Sequence, residues 1–412
     1  MRLAIPVLML GLVAACGRTP ESSQFTQHRG PQSTQSGESS HTQNALEHVT
    51  APADANRLSA LRAEAMPSGF ALAAEPMRLE FPRDHGPHPQ FRHEWWYLTG
   101  HLDAATGEPF GFELTFFRFA LKPPAQPFAP GQSSWRARQI YMAHFAVSDL
   151  DRREFHVSER FARDALGLAG AQADPFRVSL DDWSLGVPAN ASANTAEWRL
   201  VAADKGYSLD LQLTPASPIM LNGDAGLSRK ADAMGAASYY YSIPRMTARG
   251  RLVRNGKPLD VQGTVWLDRE WGSGSLGGDQ QGWDWFALQL DDGSALMFYA
   301  LRKRNGQRDA HSAGTWLAPD GTVRALASDE VQIDAKSEWT SPRGGRYPAR
   351  WQLRVPSLQL DVDIQPRLAD QELDTSTRYW EGASTVSGSR AGRAITGKAY
   401  VELVGYATNN NR

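Results

Sequence analysis

The fold of this chain is decided by the stretch GRLVRNGKPLDV, residues 250–261, in which two alternating segments flank Asn255-Gly256. Asn-Gly tolerates the positive backbone angles of a two-residue turn, so the stretch predicts a β-hairpin. Asp292-Gly293 separates residues 285–288 from 295–298 in the same way. The pattern therefore predicts strands joined by tight turns.

Outward from this hairpin, strand patterns follow one another along most of the chain. Apolar residues alternate with polar ones at 207–213, and no long helical period competes. About 330 residues of antiparallel strands exceed what one small barrel needs. The sequence thus predicts an all-β protein with two β-barrel domains, at 77–272 and 273–409, divided at a glycine-rich stretch.

Composition excludes several classes of protein. The formal net charge is −2 and no basic stripe occurs, which argues against a nucleic-acid partner. The single cysteine permits no internal disulfide. No nucleotide-binding loop or dinucleotide fingerprint occurs, and we expect no cofactor.

The N-terminus indicates export and a lipid anchor. A charged start, a short apolar run and small residues precede Cys16, which is typical of a signal peptide over 1–15. Lipidation of Cys16 would hold the protein on a membrane surface, and residues 16–76 read as a flexible tether with a possible short helix at 57–66. Gly17 follows the cysteine, so we expect a periplasm-facing lipoprotein of the bacterial envelope, on the outer membrane.

Asp268-Arg269-Glu270-Trp271 is the main candidate for chemistry. In a strand, Asp268 and Glu270 share one face while Arg269 and Trp271 share the other. Crowded, buried carboxyls hold a proton near neutral pH, so Asp268, Glu270 and the earlier Glu94 are the predicted catalytic acids. The alternative is an ion-paired, solvated strand end with no catalytic role.

Aromatic residues near these acids are candidates for binding a substrate, or for closing a barrel end as core. Arg269 could stack on such a ring or pair with Glu94, and His144 is either a core residue or part of the site. Asp84-His85-Gly86-Pro87-His88 permits a metal site but does not specify one, so none is predicted. The predicted substrate-binding residues are Trp95, Trp96, Tyr97, His144, Tyr239, Tyr240, Tyr241, Arg269, Trp271, Trp283 and Trp285.

Four segments carry a family pattern: FRHEWWYLTG at 91–100, SYYYS at 238–242, WLDREWG at 266–272 and GWDWF at 282–286. In this order they resemble the AttH/CrtC-like family of predicted secreted hydrolases. That family includes hydroxyneurosporene synthases (carotenoid hydratases) and distant fungal hydratases and pericyclases. The resemblance implies two lipocalin-like barrels. Arg269 stands where carotenoid hydratases carry histidine, and a guanidinium is a poor proton shuttle, which argues against carotenoid hydration in particular.

Two functions are compatible with these features. The first is an enzyme, a hydratase, hydrolase or isomerase, that uses carboxylate acid catalysis on a hydrophobic small molecule at the barrel junction. The second is a non-catalytic carrier of a hydrophobic metabolite or lipid. Two carboxylates beside aromatic platforms also fit a glycosidase. The missing Gly-x-Ser-x-Gly elbow argues against an α/β serine hydrolase. We expect a monomer.

Overall fold

The predicted strands form two antiparallel sheets in the computed structural model, which describes residues 68–124, 137–188, 197–274 and 276–407. The predicted signal peptide, Cys16 and the helix at 57–66 lie outside these residues, as does most of the tether. None of the described residues belongs to a helix long and apolar enough to span a bilayer.

Within the described residues, thirteen strands form the first sheet. They are β1 (His93–Ala104), β2 (Pro109–Ala120), β3 (Gln139–Asp149), β4 (Glu154–Arg163), β5 (Ala169–Ala173), β6 (Phe176–Leu180), β7 (Trp183–Gly186), β8 (Trp198–Asp204), β9 (Tyr207–Pro215), β10 (Met220–Leu221), β11 (Leu227–Arg229), β12 (Ala237–Arg254) and β13 (Lys257–Gly274). The order across the sheet is β4-β3-β2-β1-β13-β12-β9-β8-β7-β6-β5, with β10 and β11 paired to β12.

In the part of the chain that the structure describes, ten strands form the second sheet. They are β14 (Gln280–Leu290), β15 (Ala295–Lys303), β16 (Ala313–Leu317), β17 (Val323–Leu326), β18 (Gln332–Thr340), β19 (Arg346–Val355), β20 (Leu360–Pro366), β21 (Glu372–Leu373), β22 (Tyr379–Arg390) and β23 (Arg393–Val404). The order is β17-β16-β15-β14-β23-β22-β20-β19-β18, with β21 on β22. Short 3-10 turns occupy Arg83–His85, Ser328–Glu330 and Pro356–Leu358.

The hairpin predicted at Asn255-Gly256 is confirmed. Arg254 pairs with Lys257, and both turn residues have positive φ, 50° at Asn255 and 79° at Gly256. These angles suit a turn whose twist matches that of the flanking strands. The hairpin joins the two longest strands of the first sheet and carries Asp268 and Glu270 on its second arm.

Each sheet curls into a nearly closed barrel around a core of its own, as the lipocalin-like prediction requires. Leu98, Phe112 and Leu252 belong to the first core, and Phe286 and Val401 belong to the second. The interiors are filled by side chains. The all-β prediction is therefore confirmed.

A third apolar cluster joins the outer faces of the two sheets. Tyr97 and Trp266 of the first sheet pack with Trp285, Met297 and Tyr400 of the second. The first sheet ends at Gly274 and the second begins at Gln280, close to the predicted boundary at 272/273. The described residues belong to one compact unit, and their division into independent domains stays a prediction.

Candidate active site

A cavity of about 370 Å³ lies between the outer faces of the two sheets, outside both barrel interiors. Its lining is largely apolar and aromatic, with a few carboxyls and one lysine, which is the usual make-up of a small-molecule site. The lining residues are Trp95, Tyr97, Thr115, Phe117, Phe119, Met142, His144, Phe161, Lys230, Tyr240, Asp268, Glu270, Leu276, Trp283, Trp285, Tyr299, Leu301, Ser376, Thr377, Tyr379, Glu402 and Val404.

The register of β2, β3 and β4 determines which side chains form one wall of the cavity. Phe117, Met142 and Phe161 lie opposite one another on β2, β3 and β4, so their side chains form a row on the outer face of the first sheet. Thr115 and His144 form the next row. Phe161 is half exposed and marks the open side of the cavity.

The alternation predicted for β13 is confirmed. Asp268 and Glu270 line the cavity, whereas Trp271 belongs to the core of the first barrel and Arg269 bonds to groups on that inner side. Tyr240, on β12 beside Glu270, also lines the cavity, while its neighbours Tyr239 and Tyr241 belong to the barrel core. The cavity is therefore lined by alternate residues at one end of this hairpin, namely Tyr240, Asp268 and Glu270.

Asp268 is a buried carboxyl held by three hydrogen-bond donors. Trp266 Nε1 donates to Oδ1 at 2.7 Å, Ser242 Oγ donates to Oδ1 at 2.5 Å, and the Tyr240 hydroxyl donates to Oδ2. Burial raises the pKa of Asp268 to about 7, against the opposing effect of these donors, and the charge of Glu270 adds to the rise. Asp268 can therefore exchange a proton near neutral pH.

Tyr240 connects Asp268 to the second sheet. Its hydroxyl donates to Asp268 and accepts a hydrogen bond from Trp285 Nε1 at 3.1 Å. Burial, together with the nearby Asp268, raises the pKa of Tyr240 well above its ordinary value. The phenol therefore stays protonated and fixes the orientation of the carboxyl.

Glu270 is paired with a buried lysine that the sequence did not indicate. Lys230 Nζ lies 3.4 Å from Glu270 Oε1 and 3.8 Å from the ring centroid of Tyr299, and Ser238 donates to the same Oε1 atom. Burial would lower the pKa of Lys230, but Glu270 and Tyr299 outweigh it and raise the pKa. The pair adds little net charge to the cavity.

Glu402 faces the cavity from β23 of the second sheet. Trp283 Nε1 donates to its Oε2 at 3.1 Å. Burial raises the pKa of Glu402 to about 7, the Trp283 bond opposes the rise, and Asp268 and Glu270 add to it. Two further acids, Glu113 and Glu381, are buried beside this wall, and burial raises the pKa of each well above its ordinary value.

The structure does not bring Glu94 to the cavity. Glu94 pairs with Trp271 across β1 and β13, so it faces the barrel interior, where Arg118 and Arg269 both donate to it. Burial works to raise the pKa of Glu94, but the two arginines outweigh it and hold the pKa far below its usual range. Glu94 is therefore paired with Arg269, the pairing that the sequence left open, and the pair is buried rather than solvated.

Arg269 lies on that same inner face. Its guanidinium stacks 4.0 Å above the Trp96 ring and donates to the Gly86 carbonyl at 2.6 Å. The position that holds histidine in carotenoid hydratases therefore points away from the cavity in this chain. Arg269 therefore neither supplies nor removes a proton shuttle in the cavity, and its presence does not argue against hydration there.

The predicted binding residues divide between the two faces. Trp95, Tyr97, His144, Tyr240, Trp283 and Trp285 line the cavity. The structure does not bring the others to it: Trp96 donates to the His85 carbonyl at 2.8 Å, Trp271 stacks on His88, Tyr239 donates to the Glu75 carbonyl, Tyr241 bonds to His85, and Arg269 pairs with Glu94.

His144 bridges the sheets at the cavity wall. Its Nδ1 lies 2.7 Å from the Tyr379 hydroxyl and its Nε2 lies 3.0 Å from Glu159 Oε1. Both nitrogens therefore have partners before any ligand binds. His85 and His88 have partners of their own, Tyr241 and Asp84, and no three potential ligand side chains converge on a metal position within the described ranges.

Lys230, Tyr299, Tyr379 and Glu402 are cavity residues that the sequence reasoning missed. A signal exists for Glu402, because Tyr400, Glu402 and Val404 share one strand face on which a lone acid is unusual. Lys230 follows β11 in an irregular segment, so no periodic pattern marks it.

Comparison with known proteins connects this geometry to a family. Residues 72–406 match the model of the AttH-like family. A provisionally assigned AttH protein from Nitrosomonas europaea is 36% identical with a TM-score of 0.71, and the match covers 82% of this chain and 100% of that one. The comparison with curated proteins found no match.

Two more distant structures share the fold. Kievitone hydratase from Nectria haematococca is 16% identical with a TM-score of 0.62, covering 83% of this chain and 98% of its own. The structure of CghA with Sch210972 is 14% identical with a TM-score of 0.50, with the same coverage of both chains. At these identities the likeness concerns the fold alone, since one fold serves several chemistries.

Proposed function

This chain belongs to the AttH-like family, and from that premise we propose that it is a hydratase-type enzyme acting on a hydrophobic small molecule in the cavity between the sheets. The observation that carries the proposal is Asp268, a carboxyl in an aromatic-lined cavity with a pKa of about 7. The name of one structural neighbour, kievitone hydratase, agrees with water addition.

We also propose a location. The protein acts as a monomeric lipoprotein of the bacterial envelope, anchored through Cys16, with its folded body facing the periplasm on the outer membrane. The sequence at 1–16 supports this location. A hydrophobic substrate is concentrated near membranes, so an anchored enzyme would meet it there.

Hydration requires proton transfer and stabilisation of positive charge. A protonated carboxyl gives its proton to one carbon of a double bond, and the π electrons form the new C–H bond. Water then attacks the electron-deficient carbon, and its surplus proton passes to a carboxylate, so the reaction adds one water and needs no other reactant. Asp268 exchanges one of these protons, and the faces of Trp95 and Trp285 stabilise the cation.

The charge balance of the cavity supports such a cation. A lone ammonium in a low-dielectric cavity would oppose a developing positive charge. Lys230 is instead paired with Glu270 at 3.4 Å, so its charge is offset. Glu270 therefore positions Lys230 and offsets its charge. Replacing Glu270 by Gln tests whether Glu270 also takes part in proton transfer.

The test is turnover in water labelled with heavy oxygen. The full chain is incubated with a panel of hydrophobic alkenes and their matching alcohols, and mass spectrometry measures label in the alcohol. We expect Asp268→Asn to lower the rate by about two to four orders of magnitude. Asp210→Asn, on the solvent side of β9, is the matched control and should leave the rate unchanged. An unchanged rate in Asp268→Asn would remove the proposal.

A carrier is the second candidate, because the cavity wall is mostly apolar and would hold a hydrophobic molecule without any chemistry. The two candidates differ in one measurement. If the protein is a carrier, wild type and Asp268→Asn should bind an apolar fluorescent probe equally well. Neither should incorporate label into any alkene or alcohol of the panel.

A further inference from the structure

Glu402 is a carboxyl of the cavity that belongs to neither the Asp268 motif nor the first sheet. Along β23 it pairs with Trp285 on one side and with Glu381 on the other. Asp268 lies on β13, in the outer face of the first sheet, which packs against the outer face of the second. The two carboxyls therefore line the cavity from opposite walls.

The two carboxyls differ in how they are held. Asp268 accepts three hydrogen bonds and is 4% exposed, so most of its lone pairs are used. Among the described residues, Glu402 accepts one side-chain hydrogen bond, at Oε2 from Trp283. Three donors favour the ionised form of Asp268, whereas one donor leaves Glu402 freer to keep and offer a proton.

We propose that Glu402 is a second catalytic carboxyl, which donates a proton to the substrate from the wall opposite Asp268. This rests on the proposed function. Glu402 gives its proton to one carbon of the double bond, whose π electrons form the C–H bond. Water forms the C–O bond at the other carbon and loses a proton to Asp268. A proton returned from Asp268 to Glu402 through water restores the starting state.

The acidic groups around Glu402 determine how readily it loses its proton when a charge enters the cavity. Asp268 and Glu270 face it from β13, Glu113 from β2 and Glu381 from β22, and the hydroxyls of Tyr97 and Tyr379 lie near these acids. Lys230 is engaged with Glu270. A positive charge placed in the cavity therefore favours loss of the Glu402 proton, as a carbocation would.

Dimethyloctylamine is a suitable probe, since its ammonium mimics the carbocation formed at a tertiary carbon. The tertiary alcohol of the same carbon skeleton is the neutral control. Titration calorimetry at mildly acidic pH, in buffers of different ionisation enthalpy, measures the protons released on binding. Wild type should release close to one proton with the amine and none with the alcohol, because the bound ammonium ionises Glu402.

The variants identify the proton donor. We expect Glu402→Gln to lose most of the proton release and to bind the amine about tenfold more weakly, with binding of the alcohol unchanged. Asp210→Asn, which changes an exposed carboxyl of β9 outside the cavity lining, is the control and should behave as wild type. Glu402→Asp should restore part of the release.

Two results would overturn the assignment. One is proton release that persists in Glu402→Gln and disappears in Asp268→Asn, which would make Asp268 the donor. The other is a wild-type protein that binds the alcohol but not the amine. Failure of the proposed function gives a different pattern, in which proton release depends on Glu402 although no alkene or alcohol is turned over.

Discussion

Two neighbouring residues of β13 meet opposite electrostatic environments. Asp268 faces the apolar cavity, where burial raises its pKa to about 7. Arg269 faces the barrel interior and, with Arg118, holds the pKa of Glu94 far below its usual range. One strand thus supplies a carboxyl that can carry a proton near neutrality and a guanidinium that keeps another carboxyl ionised.

The raised pKa of Asp268 has a consequence for stability. Its pKa rises from 3.8 to about 7 on folding, so the stability it contributes is complete below 3.8 and is lost as pH rises through about 7. Asn carries no such charge. The free energy of unfolding of Asp268→Asn minus that of wild type should become more positive between about pH 4 and pH 8. Urea unfolding across this range measures it, and a difference independent of pH would contradict the raised pKa.

Arg269 is predicted to matter for stability. Arg269→Met leaves Glu94 with one of its two arginines, and breaking a buried ion pair costs about 3–5 kcal/mol. Arg251→Met is the control, because Arg251 is exposed and 3.9 Å from Asp260, where a pair is worth about 0–1 kcal/mol. Chemical denaturation gives both values. Equal losses in the two variants would argue against a structural role for the Glu94 cluster.

At the scale of elements, β13 is confined between β1 and β12. A Cβ at Gly263 would lie 1.9 Å from the His101 carbonyl oxygen of β1, so Gly263→Ala must push two paired strands apart. We expect a loss of about 1–3 kcal/mol. Gly170 in β5 is the matched control, since its added Cβ would meet nothing within 4 Å.

At Gly170, alanine should be neutral or stabilising by about 0.5–1 kcal/mol, because glycine loses more conformational freedom on folding. Thermal unfolding of both variants distinguishes the two effects. A Gly263→Ala protein as stable as Gly170→Ala would show that β1 and β13 can separate without cost.

Turns and strand faces were predictable because they depend on neighbouring residues. The Asn255-Gly256 turn and the shared face of Asp268 and Glu270 both follow from local geometry. Neighbouring residues do not determine which face of a strand points into the barrel and which points out of it. Nothing in the sequence shows that Glu94 lies opposite Trp271, on the inner face.

The missed residues depend on contacts between distant segments. Lys230 and Glu402 reach the cavity because the second sheet packs its outer face on the first. Alternation shows that residues share a face, but not which face meets another sheet. The sequence identified Asp268 and Glu270 on one wall and Trp283 and Trp285 on the other. Lys230 and Glu402 required the tertiary structure.

At the scale of the whole molecule, the two barrels are joined by direct contacts between their sheets. Neither barrel could make these contacts without the other. A Cβ at Gly111 of β2 would lie 2.6 Å from the Ala383 Cβ of β22, and Ser148 donates to Gln371 at 2.8 Å across the same junction. The apolar cluster around Trp266 and Trp285 would be exposed if the sheets separated.

We therefore predict a single cooperative unfolding transition for both sheets. Near-ultraviolet circular dichroism and tryptophan fluorescence should give coincident curves. Gly111→Ala should lower the midpoint of the whole transition, with a loss of about 1–3 kcal/mol, because the added methyl group separates the sheets. Two separate transitions in wild type would indicate that the barrels are stable independently.

The position of β13 also shapes how the chain reaches its native state. β1 is the first strand of its sheet in the sequence and β13 the last, yet they are hydrogen-bonded neighbours, with His93 opposite Gly272. Pairing such remote segments costs chain entropy before any stabilising contact has formed. This cost slows folding. Until β13 pairs with it, β1 presents an open edge. Chains that end before residue 257, or in which β13 is not yet in place, are therefore more exposed to aggregation.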